Sequence, residues 1–218
     1  MHLNQNEHLL FHGSRGGIVG KICPNYKGAR EHGDFGKGFY MGTTELQPKS
    51  LVVNDENPVF YTLKLNSSDL RVKSFEANFE WIVAVAYFRG RLDRLPTQYL
   101  QQIKKQYEGF DLFYGYIADD STTAAITQFI ADRMGYTSLM NCLCNLSMGK
   151  QYVAVTQRAC DNIAILDSYE LPKTERKLIK QSASIRIQAS NKITNEAFAN
   201  PNQGKRFSEL LAVYLEGL

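Results

Sequence analysis

Apolar and polar positions fall into two rhythms along the chain. Residues 7–12 (EHLLFH) read as a short strand that ends at Gly13, and Pro58–Leu65 (PVFYTLKL) as a second, rich in aromatic and β-branched positions. In Phe75–Arg89 the apolar residues Phe75, Phe79, Ile82, Val83, Ala86 and Tyr87 recur with a helical period. Thr97–Tyr107 predicts a more polar helix, and Phe110–Ile117 (FDLFYGYI) a strong strand. Asp119 or Asp120 then caps a helix whose apolar face is Ala124, Ala125, Phe129, Ile130 and Met134. Tyr152–Val155 and Ile163–Tyr169 predict two strands across a short polar turn. Beyond Pro172 the period is helical again, over Lys173–Gln188 and Lys205–Leu215. Residues 13–38 follow neither rhythm. They are glycine-rich and predict a long loop, and loops of that length usually carry function. The fold class expected is α+β, with a main domain over 1–171 and a basic helical C-terminal extension over 172–218.

Composition narrows this picture. The chain has 218 residues, 44% hydrophobic and 11% aromatic, which suits one globular domain with an appendage. The net charge is +3. From Pro172 onward eight Lys/Arg face four Asp/Glu, giving +4, so the first 171 residues carry −1. A bulk nucleic-acid binder would be more basic over its main domain. The tail's default reading is a solvated helical face; docking to nucleic acid or a partner protein is the alternative. No apolar run reaches membrane-span length, and no basic segment precedes an apolar one at the N-terminus, so neither a membrane partner nor a secretory leader is expected. Cys23, Cys142, Cys144 and Cys160 match no zinc spacing, so no metal is expected. Cys142 and Cys144 alternate in an apolar stretch and read as small core residues. Reduced thiols without a leader point to the cytoplasm; delivery outside the cell would need a route without a signal peptide.

Four segments carry candidate chemistry. Phe11-His12-Gly13-Ser14 sets polar groups at the end of an apolar strand, and Asp34-Phe35-Gly36-Lys37-Gly38-Phe39-Tyr40 feeds two glycines into an aromatic pair. Gly149-Lys150-Gln151-Tyr152-Val153-Ala154-Val155 sets a polar residue at the mouth of an apolar strand, and Gly115-Tyr116-Ile117-Ala118-Asp119-Asp120 ends a strand in two acids. Glycines let a backbone approach a ligand, a Tyr ring can stack on a flat heterocycle, and a His can donate a hydrogen bond to a ribose hydroxyl. Each piece also has a plain structural reading: a satisfied histidine, a turn, a core tyrosine, a solvated strand end, a helix cap with a first-turn acid.

Taken in order, FHGS, FGKGFY and the G-x-Q-Y-V-x-V strand resemble the ADP-ribosyltransferase superfamily of the diphtheria-toxin and poly-ADP-ribose-polymerase type. The likeness spans about residues 8–170. It is nearest to a small bacterial family with a D-F-G-[KR]-G-F-Y signature and a downstream G-x-[IV]-A-D-D element, which GYIADD matches. The resemblance implies a split β-sheet core with flanking helices and a His-Tyr-Glu-type triad on three strands. It implies NAD as substrate and nicotinamide as leaving group. Carried onto this chain, His12 would bond a ribose 2′-hydroxyl, the Gly13 backbone would hold the nicotinamide carboxamide, and Tyr40 would stack on the ring. Ser14, Phe35, Gly36, Gly38 and Phe39 would line the same site, with Ser50 on the carboxamide and Arg30 on the pyrophosphate.

The departure lies at Gln151, where active members of the superfamily often hold Glu. A glutamine keeps a hydrogen bond and loses the charge that steadies a cationic transition state. The reading is therefore a mono-ADP-ribosyltransferase with a His-Tyr-Gln triad, acting on a macromolecular or nucleobase acceptor. The alternatives are a NAD glycohydrolase or a catalytically weak or inactive module that binds NAD or ADP-ribose. The missing charge is expected to come from the acceptor or from Asp119 or Asp120. His12, Tyr40 and Gln151 are expected to face one pocket, and Gln151→Glu to raise turnover.

Overall fold

The computed structural model describes residues 3–25, 32–143 and 149–218. Its fold is mixed α+β, with one seven-stranded sheet and eight helices among the described residues. The strands are β1 (Glu7–Arg15), β2 (Phe39–Gly42), β3 (Pro58–Asn66), β4 (Val72–Ser74), β5 (Leu112–Tyr116), β6 (Lys150–Ala154) and β7 (Ile163–Glu170). Their order across the sheet is β4-β5-β6-β2-β1-β3-β7. Only β4 and β5 run parallel; the other neighbours are antiparallel.

Alternation divides the sheet into two faces. One face carries Leu10, Phe39, Met41, Tyr61, Leu63, Leu65, Leu112 and Ala154, which close a core with Ile18 and Ile22 from the segment after β1. The other face is backed by helices and has two cores. The larger holds Phe35, Phe75, Phe113 and Val153 against α2 (Phe79–Phe88) and α4 (Asp120–Ile130). Residues 81–86 of α2 are all buried, as expected of a helix that is apolar nearly all round. The smaller core joins Phe60 to Val52 and Val53 near α1 (Leu46–Val52) and to Ile179 of α7 (Lys173–Ala199).

The polar signals act as helix starts. The Asn78 side chain accepts a hydrogen bond from Trp81 N at 3.1 Å, and Asp119 accepts one from Thr122 N at 2.8 Å. The predicted helices become α2, which starts at Phe79 rather than Phe75, and α3 (Thr97–Lys105). The expected polar turn between β6 and β7 contains a short helix, α6 (Gln157–Asp161), capped by Thr156. α7 runs on past Gln188 to Ala199 as one helix. Residues after Pro172 enter the larger core: Ala197, and Phe207 and Leu211 of α8 (Phe207–Glu216), are buried there. α5 spans Tyr136–Leu143, with Cys142 buried; Cys144 lies outside the described residues. No helix among the described residues is long and apolar enough to cross a membrane.

Candidate active site

Three of the four motif segments become adjacent strands. β6, β2 and β1 lie side by side, and Phe11 pairs with Gly42, which pairs with Gln151, so one row crosses all three. Phe11↔Gly42 is the single register pair between β1 and β2, whereas β1 and β3 pair along their whole length from Glu7↔Asn66 to Arg15↔Pro58. The sheet is therefore narrowly joined at the point where FHGS meets FGKGFY.

His12 sits at this junction. Its Nδ1 lies 2.8 Å from the Tyr40 carbonyl oxygen, and its ring stacks on Phe39 at 4.4 Å between centroids. A carbonyl only accepts, so Nδ1 carries the proton and, in the neutral ring, Nε2 is an acceptor. Burial pushes the imidazole pKa down to about 4, against a smaller upward pull from the Tyr40 carbonyl. The ring is neutral at pH 7. The expectation that His12 donates to a ribose hydroxyl is thus corrected: its one N–H is committed to the backbone of β2.

Tyr40 projects from the opposite face. Its paired neighbour Val153 belongs to the larger core, while Phe39 and His12 lie on the other side of the sheet. The Tyr40 hydroxyl donates to the Gly36 carbonyl at 2.6 Å and accepts from Phe35 N at 3.1 Å. A Cβ at Gly33 would come within 2.0 Å of that hydroxyl, so the turn before β2 is built around it. Of the expected triad, Tyr40 and Gln151 share a face and the His12 ring does not. The physical reason is the two-residue period of the strands: paired through Gly42, residues 40 and 151 stand on the same side as Phe11 and Gly13, and position 12 points away.

Several residues expected to line a ligand site pack against the protein itself. Phe35 is 1% exposed and stacks on Phe75 at 5.2 Å. Gly36 has φ 76° and leaves room for the Phe88 ring, which a Cβ would meet at 2.9 Å. A Cβ at Gly38 would meet Val153 Cγ1 at 2.6 Å, and one at Gly13 the Pro48 carbonyl of α1 at 2.3 Å. The close approaches that these glycines permit are to β6 and α1. Phe39 is buried in the core of the His12 face. Ser14 is half-buried and pairs with Val59. Ser50, on α1, donates to the Leu46 carbonyl at 2.5 Å and accepts from Arg186 of α7 at 2.9 Å. Arg30 lies outside the described residues.

The acids fall differently from expectation. Asp119 is the α4 cap, and its oxygens also accept from Ser121 at 2.9 Å and Ser190 at 3.4 Å. Asp120 is exposed in the first turn of α4. The carboxylate beside Gln151 is Asp34, which heads the D-F-G-K-G-F-Y segment. Gln151 Nε2 donates to Asp34 Oδ2 at 2.7 Å, and the two residues are 4% and 5% exposed. Ala118 N donates to the same oxygen at 2.9 Å. Arg89 grips Oδ1 with Nε at 2.9 Å and Nη2 at 2.5 Å, and Nη2 also reaches the Ala118 carbonyl at 2.8 Å. The GYIADD element does approach Gln151, through the backbone of Ala118 rather than through its acids. Arg89 carries no sequence signal beyond its place after an apolar helix and before Gly90.

Among the described residues no cluster of His, Cys, Asp and Glu has the arrangement of a metal site. Burial pushes the thiols up, Cys142 to about 11 and Cys160, helped by Cys23 and Asp161, to about 12, so both are protonated at neutral pH.

A family model described as a protein of unknown function (DUF3990) covers residues 8–165, and the chain belongs to that family. No curated protein and no solved structure shows a significant match.

Proposed function

We propose that this DUF3990 chain is a NAD-dependent mono-ADP-ribosyltransferase, with the narrow β1–β2 join as the split of an ADP-ribosyltransferase-type sheet. The observation that carries the reading is the row Phe11–Gly42–Gln151, which draws the FHGS, FGKGFY and G-x-Q-Y-V-x-V segments onto neighbouring strands despite their distance along the chain. In the reaction the bond between the ribose C1′ and the nicotinamide nitrogen breaks, and its electron pair leaves with nicotinamide. An oxygen or nitrogen of the acceptor forms the new bond to C1′ and gives up its proton. The Tyr40 ring offers the face for nicotinamide, and the Gln151 amide holds a ribose hydroxyl. His12 acts on Tyr40 by holding its carbonyl. NAD is a substrate here, and the acceptor is a macromolecule or nucleobase.

A catalytically weak NAD-binding module is the second reading. It is favoured by the neutral Gln151 and by the engagement of the Tyr40 hydroxyl within the protein. Incubation with labelled NAD, alone and with cell lysate later split between nuclease and protease, separates the outcomes. Label on a macromolecule is expected. Free ADP-ribose alone would make the protein a hydrolase, retention without conversion a binder, and no retention would end the NAD reading.

A further inference from the structure

Asp34 and Gln151 form a unit that neither the family match nor the motif pattern describes. An amide is ambiguous as a recognition group, because one end donates and the other accepts. A carboxylate placed against it removes the ambiguity. Asp34 Oδ2 accepts from Gln151 at 2.7 Å, so the amide nitrogen must face it and Oε1 must turn away. Asp34 cannot rotate out of this role. Oδ1 takes two donors from Arg89, and Oδ2 takes Ala118 N and Gln151, which fills the four acceptor positions of a carboxylate. Gln151 Oε1 accepts no hydrogen bond from a described residue, so its acceptor capacity is left for another group.

We propose that Asp34 is a positioning residue that locks Gln151 as an obligate hydrogen-bond acceptor, and that the group it receives is a sugar hydroxyl of the ligand. The identity of the ligand as NAD rests on the transferase reading; the lock itself does not. Donation to a carboxylate also polarises the amide and draws negative charge onto Oε1, so a neutral residue gains part of the acceptor strength of a carboxylate. The same geometry explains why position 151 is not a glutamate in this chain. A second carboxylate would stand 2.7 Å from Asp34, whose bonded cation among the described residues is Arg89, and Arg89 makes no bond to position 151. The expected gain from Gln151→Glu is thereby reversed: that single change weakens the site.

The test compares affinity for NAD with affinity for its 2′-deoxy analogue in the nicotinamide ribose. Wild type is expected to prefer NAD by several-fold to about tenfold, the worth of one hydrogen bond. Asp34→Asn frees the amide to turn, and the preference should fall toward unity. The double variant Asp34→Asn with Gln151→Glu returns an acceptor to position 151 and a donor to position 34, and should restore the preference. A merely structural Asp34 would change stability in both variants without moving this ratio. If Asp34→Asn does not fold, Gln151→Met, which keeps the Asp34–Arg89 pair, should abolish the preference alone. A preference retained in Asp34→Asn or in Gln151→Met overturns the proposal. Hydrogen exchange of the Gln151 side-chain amide in ligand-free wild type separates the two readings. Slow exchange in a protein that binds no NAD leaves the lock standing and removes the transferase reading. Fast exchange removes the lock whatever binds.

Discussion

The sheet has two halves of different make on either side of Phe11↔Gly42. The β4-β5-β6-β2 half rests on a large aromatic core, where Phe35, Phe75, Phe113, Trp81 and Phe129 are almost wholly buried. On its helix-backed face the β1-β3-β7 half rests on a thinner apolar cluster under α1 and the start of α7, supplemented by charge, while Leu10, Tyr61, Leu63 and Leu65 are buried on its other face. Lys49 is buried there, bonded to Glu45 at 2.7 Å and Glu175 at 2.8 Å, with its ammonium 4.3 Å from the Phe60 ring centroid. Burial alone would lower its pKa, but the two carboxylates outweigh that and hold it above the usual lysine value. Both halves carry ion pairs, but the first leans mainly on its aromatic core and the second more on charge, so salt should weaken the second more. The candidate site lies along their join, so it depends on both.

The largest effect should come from the aromatic half. Phe35→Ala empties a ring site between Phe75 and Phe113 and is expected to cost about 3–5 kcal/mol in urea unfolding, equally at low and high salt. A loss below 1 kcal/mol would show that this half is not carried by its aromatic core.

The join itself responds to acid. The His12 pKa is about 4 in the fold against 6.5 when unfolded, so the unfolded chain takes up a proton first as pH falls. The contribution is whole above pH 6.5 and is lost between pH 6.5 and about 4, at most about 3 kcal/mol. His12→Gln, which cannot charge, should flatten that part of the stability curve. An unchanged acid slope would place the sensitivity elsewhere.

The charged half should give less. Lys49→Met keeps the apolar stem and removes the ammonium, leaving Glu45 and Glu175 partly in water; a loss of about 1 kcal/mol is expected. That loss should shrink in 1 M salt. A salt-independent loss as large as that of Phe35→Ala would erase the distinction between the halves. Of similar size is Asp119→Ala, which removes the α4 cap for about 1 kcal/mol. NAD turnover per folded molecule should stay unchanged, whereas a marked fall would return Asp119 to the reacting centre.

What was legible in the residues follows the same division. β3, β5 and α2 are dense in apolar residues at one period, and tertiary packing reinforces what each segment favours alone. α1 was not foreseen: it is seven residues long, holds Pro48 and has no side-chain cap. The full span of α7 was not foreseen either, since only Ile179, Thr194 and Ala197 are buried along its 27 residues and the apolar period is faint. At the site, the three motif strands were legible as residue types. Their facing was not, because a one-residue parity decides which side chains meet. Asp34 was visible at the head of its motif, but its partner Gln151 stands 117 residues away and Arg89 is 55 away. No local pattern reports a contact of that kind.

The single β1–β2 pair also sets an order of assembly. As the chain leaves the ribosome, β1 meets its long partner β3 once residue 66 has emerged. β2 must wait for β6, at 150–154, which is made only after α2, α3 and α4. Until then β2 has one register pair to hold it, and closing so long a loop is slow compared with local pairing. A nascent chain stopped between residue 66 and Lys150 therefore carries a formed β1–β3 hairpin-like pair beside an unplaced FGKGFY strand, and the part of the sheet that would do chemistry is the last to be completed.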